Sequence, residues 1–272
     1  ENCIKIYNHF KDNYKNEYID NDNLTITIDI LPKYINDYYN VFGHFYLDHL
    51  FILYKIKCWL EQIYKKNIAN IYIPNSNYLS KFALEFYKMV FNNILEIPVN
   101  NMIKIGTILG SIENTEINKI YLDKSNIKLN IPDEIMSNGR KITELNKKRA
   151  IQLRELIWDK CDIKKVNIKN HNDILIVNRM KSPRKLINKN HLYNLLKSKN
   201  YNYKEVYMED YDLKTQIRMI YSYNNILMAC GSGYTHIAFM RDNSNYIELC
   251  PEGFRYPNPL IFGNIYNVNS KL

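Results

Sequence analysis

The sequence predicts an α/β protein made of two doubly wound halves, each a mostly parallel sheet covered by helices. Three observations carry this. In the first half, short β-branched runs alternate with longer stretches of helical periodicity. A polar patch, Lys164 to Asp173 (KKVNIKNHND), then has the composition of a linker. Beyond it the alternation of strand and helix restarts and continues to Leu249. The expected domains are 1–165 and 166–272.

In chain order, Leu24 to Ile30 alternates Thr and Ile as a strand does, and Pro32 ends it. From about Val41 to Tyr64 apolar residues recur at helical spacing, which predicts one long, largely buried helix. Asn70 to Ile73 reads as a short strand stopped by Pro74, and Tyr78 to Phe91 as an amphipathic helix. Met102 to Leu109 and Ile117 to Leu122 are β-branched runs compatible with strands. Lys141 to Asp162 is a charged helix. In the second half the expected strands are Ile174–Asn178, Val206–Met208, Ile226–Ala229 and Tyr246–Leu249. The helices expected between them are His191–Lys197, Leu213–Tyr221 and Gly233–Phe239.

The 272 residues are 46% hydrophobic and 24% charged, which is ordinary for a soluble globular chain. Ile, Asn, Lys and Tyr are over-used, a bias that reads as codon usage and discounts the formal net charge of +9. A basic chain still attracts anions. No Arg-rich tract or zinc-finger spacing marks a nucleic-acid reader, so no nucleic-acid partner is expected. The cysteines, Cys3, Cys58, Cys161, Cys230 and Cys250, are odd in number and show neither close pairing nor metal-ligand spacing. Reduced thiols are favoured, with a single bridge left open, and no metal is expected. The most apolar stretch, Phe45 to Tyr64, carries Asp48, His49, Lys55, Lys57 and Glu61 and is not a membrane span. With no signal peptide the cytoplasm is favoured, and the secretory lumen stays open if an upstream anchor has been trimmed.

The chemistry concentrates in the second half. In open α/β sheets, ligands sit beyond the carboxyl ends of the strands. The strand Ile174–Asn178 delivers Arg179 to that edge, and Arg184 and Lys185 follow in the turn RMKSPRK. Arg presents a planar fork matched to phosphate oxygens. At the equivalent edge of a later strand stands Gly231-Ser232-Gly233-Tyr234-Thr235-His236, a small-residue turn running into an expected helix. Such a turn aims backbone N–H groups at an anion. Cationic side chains and a helix tip in one crevice are what a diphosphate requires.

These residues, in this order, resemble the catalytic domain of glycosyltransferase family 61, which includes O-linked N-acetylglucosaminyl- and xylosyltransferases. The family's strand ending in Arg reads here as Arg179, and its Arg-x-x-x-Asn as Arg184 to Asn188. Its Glu, aliphatic run and Gln read as Glu209, Leu213 and Gln216. Its His-Gly-Ala-Gly-Leu-Thr-His signature reads as Cys230 to His236, followed by Phe239-Met240 and Ile247-Glu248-Leu249. Gly43-His44-Phe45 is similar to the family's Gly-His-aromatic segment. Among the departures, Cys230 stands for the signature's leading His, and Ser232 for its Ala.

The resemblance implies a GT-B architecture, with two Rossmann-like domains facing a cleft and the donor held by the C-terminal one. It implies inverting transfer from a nucleotide sugar, UDP-linked, to a hydroxyl of a glycan or protein, without a metal cofactor. The donor-binding residues it implies are Arg179, Arg184, Lys185, Glu209, Gly231, Ser232, Gly233, Tyr234, Thr235, His236 and Glu248. An inverting reaction needs one general base. His44, with Asp48 four residues on along one helical face to orient it, is the candidate. Two alternatives stay open. Asp210-Tyr211-Asp212 spells the Asp-x-Asp of metal-dependent glycosyltransferases, although Asp212 also suits the N-cap of the following helix. The Cys230 substitution also fits a nucleotide-sugar or glycan-binding module without transfer activity.

Overall fold

The computed structural model describes residues 24–28, 42–65, 67–74, 80–97, 120–122, 132–180, 182, 184–254 and 256–272. The expected strand 102–109 lies outside them. The chain packs as two compact units, one of residues 1–41 and 52–137, the other of residues 42–51 and 138–272. The charged helix expected in the first domain, observed as Glu144–Lys160, packs in the second unit, as does the segment 42–51.

The first unit holds a four-stranded sheet in the order β3-β2-β1-β4, with β1 Leu24–Ile28, β2 Ile68–Pro74, β3 Asn93–Ile97 and β4 Ile120–Leu122. β1, β2 and β3 are parallel and β4 is antiparallel to β1. β3 was not expected, because its five residues, NILEI, follow directly on a helix with no turn signal between them. The helix Phe51–Tyr64 carries one charged side chain into the interior. Lys55 is fully buried, and its ammonium donates to Glu134 O at 3.1 Å, Ser137 O at 2.5 Å and Ser137 Oγ at 2.9 Å. Burial is tolerable because those donors are satisfied at the end of the helix Asp133–Met136, where carbonyls gather.

The second unit holds a five-stranded, fully parallel sheet: β5 Asp173–Asn178, β6 Asn202–Tyr207, β7 Asn225–Ala229, β8 Asn245–Leu249 and β9 Asn269–Lys271, in the order β6-β5-β7-β8-β9. β5 and β7 are apolar almost throughout because both their faces are covered, as parallel strands require. Ile174, Ile176 and Leu227 pack with Leu196 of the helix Lys189–Ser198. The chain steps from β5 outward to β6, then back across β5 to β7. Parallel crossovers are right-handed as a rule, and two taken in opposite directions lay their helices, here Lys189–Ser198 and Leu213–Ser222, on opposite faces of a sheet. The strand order therefore reverses between β5 and β7, the kind of point at which open α/β sheets hold ligands beyond their carboxyl ends.

The segment 42–51 is helical as expected, but not uniformly so. One α-helical turn, Phe42–His44, passes into a π-helix, Phe45–Leu50, before Phe51–Tyr64 resumes the α form. Among the described residues no helix is long and apolar enough to cross a membrane.

Candidate active site

Arg179 leaves the end of β5 and Gly231 follows the end of β7, the two strands flanking the reversal. Arg179 Nη1 donates to Cys230 O at 3.0 Å. Gly231 sits at φ +146° and ψ −164°, a conformation open to glycine almost alone. A Cβ added there would overlap Arg179 Nη1, lie 3.0 Å from Arg179 Cζ and stand 3.5 Å from Arg184 Nη2. Arg179 Nη1 thus occupies the room that the missing side chain leaves, and the Arg184 guanidinium stands beside it at van der Waals distance. Among the described residues neither forms an ion pair with a carboxylate. Two half-buried like charges held together this way favour an anion between them.

Asn178, which sequence reasoning passed over, sets this geometry. It is 3% exposed; its Oδ1 accepts from the N–H groups of Arg179 and Leu186, each at 2.8 Å, and its Nδ2 donates to Glu205 Oε1 at 2.7 Å. The arginine-bearing loop is thereby pinned at both ends by one side chain. Burial alone would raise the Glu205 carboxyl, but the polar Tyr193 hydroxyl nearby and hydrogen bonds from Asn178 and Lys189 outweigh it and hold it below the usual range. A buried Asn at a strand end gives no periodic signal, so only its bonds reveal its role.

Glu248, at 3% exposure, is the acceptor for the Gly231 N–H at 3.2 Å. Burial pushes its carboxyl above the usual range, against the opposing influence of that N–H, the Cys250 thiol and the charge of Arg184. Of the remaining expected donor residues, Ser232 and Gly233 are half-buried at the bend, and Tyr234, Thr235 and His236 turn into the protein. Lys185 and Glu209 are exposed, and neither side chain bonds to this group among the described residues.

The run after the bend, Ser232–Phe239, is helical as expected and takes the 3-10 form. The reason is local. Thr235 Oγ1 donates to Ser232 O at 2.8 Å, and His236 Nδ1 lies 2.9 Å from Gly233 O, so both side chains reach back to the carbonyl three residues earlier. The pull on an anion therefore rests more on the guanidiniums than on a helix dipole. His236 Nε2 faces Gln216 Oε1 at 3.1 Å, while Gln216 Nε2 donates to Met208 O and Tyr211 O. Burial lowers the His236 ring to about 4, so it braces the bend as a neutral group.

The segment 42–51 docks on this bend. The Phe42 ring stacks on His236, with centroids 4.8 Å apart and planes at 12°. A Cβ on Gly43 would stand 3.0 Å from Thr235 Oγ1, so glycine lets the two backbones approach. Tyr46 meets Phe239 edge-on and its hydroxyl lies 3.3 Å from that of Tyr266. His44 therefore follows a residue in contact with the bend, and its side chain lies outside the described part of the structure. The Asp48 carboxylate pairs with Arg140, which also interacts with Tyr234. Arg140, unmarked by any motif, thus ties the segment to the bend. His49 is buried against Phe45, and burial lowers its ring to about 3.

Asp212 takes up the capping role: its Oδ1 accepts from Thr215 N at 2.7 Å and its Oδ2 from Thr215 Oγ1 at 3.1 Å. Residues 42–247 match the family model Glycosyltransferase 61, a span that opens at the docked segment and closes within β8. A search of curated proteins gave no match.

Proposed function

The chain belongs to glycosyltransferase family 61, and on that premise we propose that its second unit holds a UDP-linked sugar donor by the diphosphate, between Arg179, Arg184 and the Gly231 bend. One observation carries this reading: two guanidiniums, neither ion-paired to a carboxylate among the described residues, lie beside a glycine bend at the point where the strand order reverses.

The reaction is an inverting transfer to a hydroxyl of a glycan or protein. The acceptor oxygen attacks the anomeric carbon, the bond from that carbon to the diphosphate oxygen breaks, and the acceptor proton passes to a base. UDP leaves with added negative charge, which the two arginines stabilise in place of a cation. His44 is the base and Asp48 its orienting carboxylate, itself fixed by Arg140. Glu209 accepts hydrogen bonds from the ribose or base, since Glu248 is buried with its oxygens taken by the Gly231 N–H and the Cys250 thiol. The Asp-x-Asp alternative is weakened by the commitment of Asp212 to its helix cap.

A second reading, donor binding without transfer, draws on Cys230 standing where the family signature has His. One experiment addresses both. Thermal shifts are measured with UDP, UDP-N-acetylglucosamine and UDP-xylose, with and without Mn²⁺, alongside donor hydrolysis and transfer to an acceptor panel. The expected result is stabilisation without Mn²⁺, with turnover. His44→Ala should keep UDP binding and lower kcat by about 10²- to 10⁴-fold. Indifference to every nucleotide overturns the reading, and tight UDP binding without turnover supports the second one.

A further inference from the structure

We propose that Cys230, Glu248 and Cys250 form a binding site for a soft divalent cation of the zinc type at the carboxyl ends of β7 and β8. The inference rests on this cluster alone and not on the donor reading. No local spacing marks these residues; the sheet assembles them. β7 and β8 are parallel with Met228 opposite Glu248 and Ala229 opposite Leu249, and the Cys230 N–H donates to Leu249 O at 3.1 Å. The next pair in that register is Cys230 and Cys250. Glu248 lies two residues before Cys250, on the same side of the strand.

The ligand atoms already converge. Both thiol sulfurs and a Glu248 carboxylate oxygen lie within 4.8 Å of one another, and Cys250 Sγ is 3.4 Å from Glu248 Oε2. A tetrahedral zinc ion with sulfur at about 2.3 Å and oxygen at about 2.1 Å spaces its ligands roughly 3.5–3.8 Å apart. Closing the cluster onto an ion therefore takes about 1 Å or less. Cys230 is 1% exposed and Glu248 3%, while the half-buried Cys250 leaves a way in. The Gly231 N–H on Glu248 Oε1 holds the carboxylate in place, as outer hydrogen bonds do for metal ligands.

Charge balance favours a metal here in spite of the nearby arginines. Binding converts two thiols to thiolates and releases two protons to solvent, so M²⁺ with two thiolates and one carboxylate carries −1, the charge of Glu248 alone. Arg179 and Arg184 thus meet no added positive charge. Thiolate ligands select zinc over Mg²⁺ or Mn²⁺. A Cys230–Cys250 disulfide would instead remove the S–H that donates to Glu248 Oε2 and leave a buried carboxylate short of a donor.

The test uses the full chain, reduced and stripped with chelator, titrated with Co²⁺ and then Zn²⁺. The expected result is one equivalent of Co²⁺ with a thiolate-to-cobalt charge-transfer band and tetrahedral visible bands. Zn²⁺ should abolish these bands, and its binding to the stripped protein should release about two protons per ion at pH 7. Cys250→Ser and Glu248→Gln should each lower affinity by more than the roughly 10- to 100-fold that outer partners are worth. Cys3→Ser/Cys58→Ser should keep the bands. Circular dichroism confirms folding of each variant, and the half-buried Cys250 carries the test if Glu248→Gln fails to fold. The inference is overturned if the reduced protein gives no stoichiometric band or the band survives Cys250→Ser. It is equally overturned if mass spectrometry finds a Cys230–Cys250 disulfide while the reduced protein ignores Zn²⁺.

Discussion

Replacing Gly231 with alanine separates the two things that glycine does. Its φ of +146° puts an L-residue in a strained region, which costs on the order of 1–3 kcal/mol. That cost lowers Tm by about 2–4 °C per kcal/mol for a chain of this size. The new Cβ also occupies the position of Arg179 Nη1. A guanidinium is the tip of a flexible side chain, so it swings away and gives up its bond to Cys230 O without unfolding the unit. If that guanidinium grips the diphosphate, the donor loses a charge-assisted hydrogen bond of about 1.5–3 kcal/mol, or about 10- to 150-fold in UDP affinity. Calorimetric titration with UDP measures the second effect and thermal unfolding the first. Arg179→Ala should weaken UDP comparably with little loss of Tm. Because both changes act through one side chain, the double variant should be no weaker than Arg179→Ala alone. A Gly231→Ala protein with the expected drop in Tm but unchanged UDP affinity refutes the placement of Arg179 on the phosphates.

Asn178→Ala strips the acceptor from two backbone N–H groups and frees Glu205, so it should cost about 1–3 kcal/mol in urea unfolding and weaken UDP. Unchanged UDP binding would show that the arginine loop holds its shape without it. Asp212→Ala removes an N-cap worth about 1 kcal/mol and should leave turnover intact without added Mn²⁺; loss of turnover in a folded variant favours the Asp-x-Asp alternative. His49 and His236 are lowered by burial from 6.5 to about 3 and about 4. The unfolded chain therefore binds protons that the folded one refuses as pH falls below 6.5. Stability declines from there toward the folded values, by on the order of 2 kcal/mol per ring between pH 7 and pH 5. Urea unfolding at the two pH values checks this, and His236→Gln should remove about half of the difference. A pH-independent midpoint contradicts the neutral, buried assignment.

The elements of the second half were legible where burial imposes a pattern. β5 and β7 are covered on both faces and so are written as unbroken apolar runs. β6 and β9 lie at the edges of the sheet. Only the end of β6 was read as strand, because its exposed half, NYKE, alternates toward solvent, and NSK of β9 carries no apolar signal at all. The 3-10 form of Ser232–Phe239 escaped notice because two side chains bonding back three residues decide it, and periodicity does not report such bonds.

By itself the chain determined the alternation of strand and helix, the arginines after β5, the glycine bend after β7 and the family pattern joining them, since each is a local matter of residue type and spacing. Only tertiary structure decided that Arg179 fills the space Gly231 leaves with Arg184 beside it, that Asn178 and Arg140 hold the parts together, and that Cys230, Glu248 and Cys250 converge. Those facts depend on strand register and on contacts between residues from eight to nearly two hundred positions apart. Side chains so distant in sequence share no spacing that a linear pattern can carry, so folding alone brings them within bonding distance.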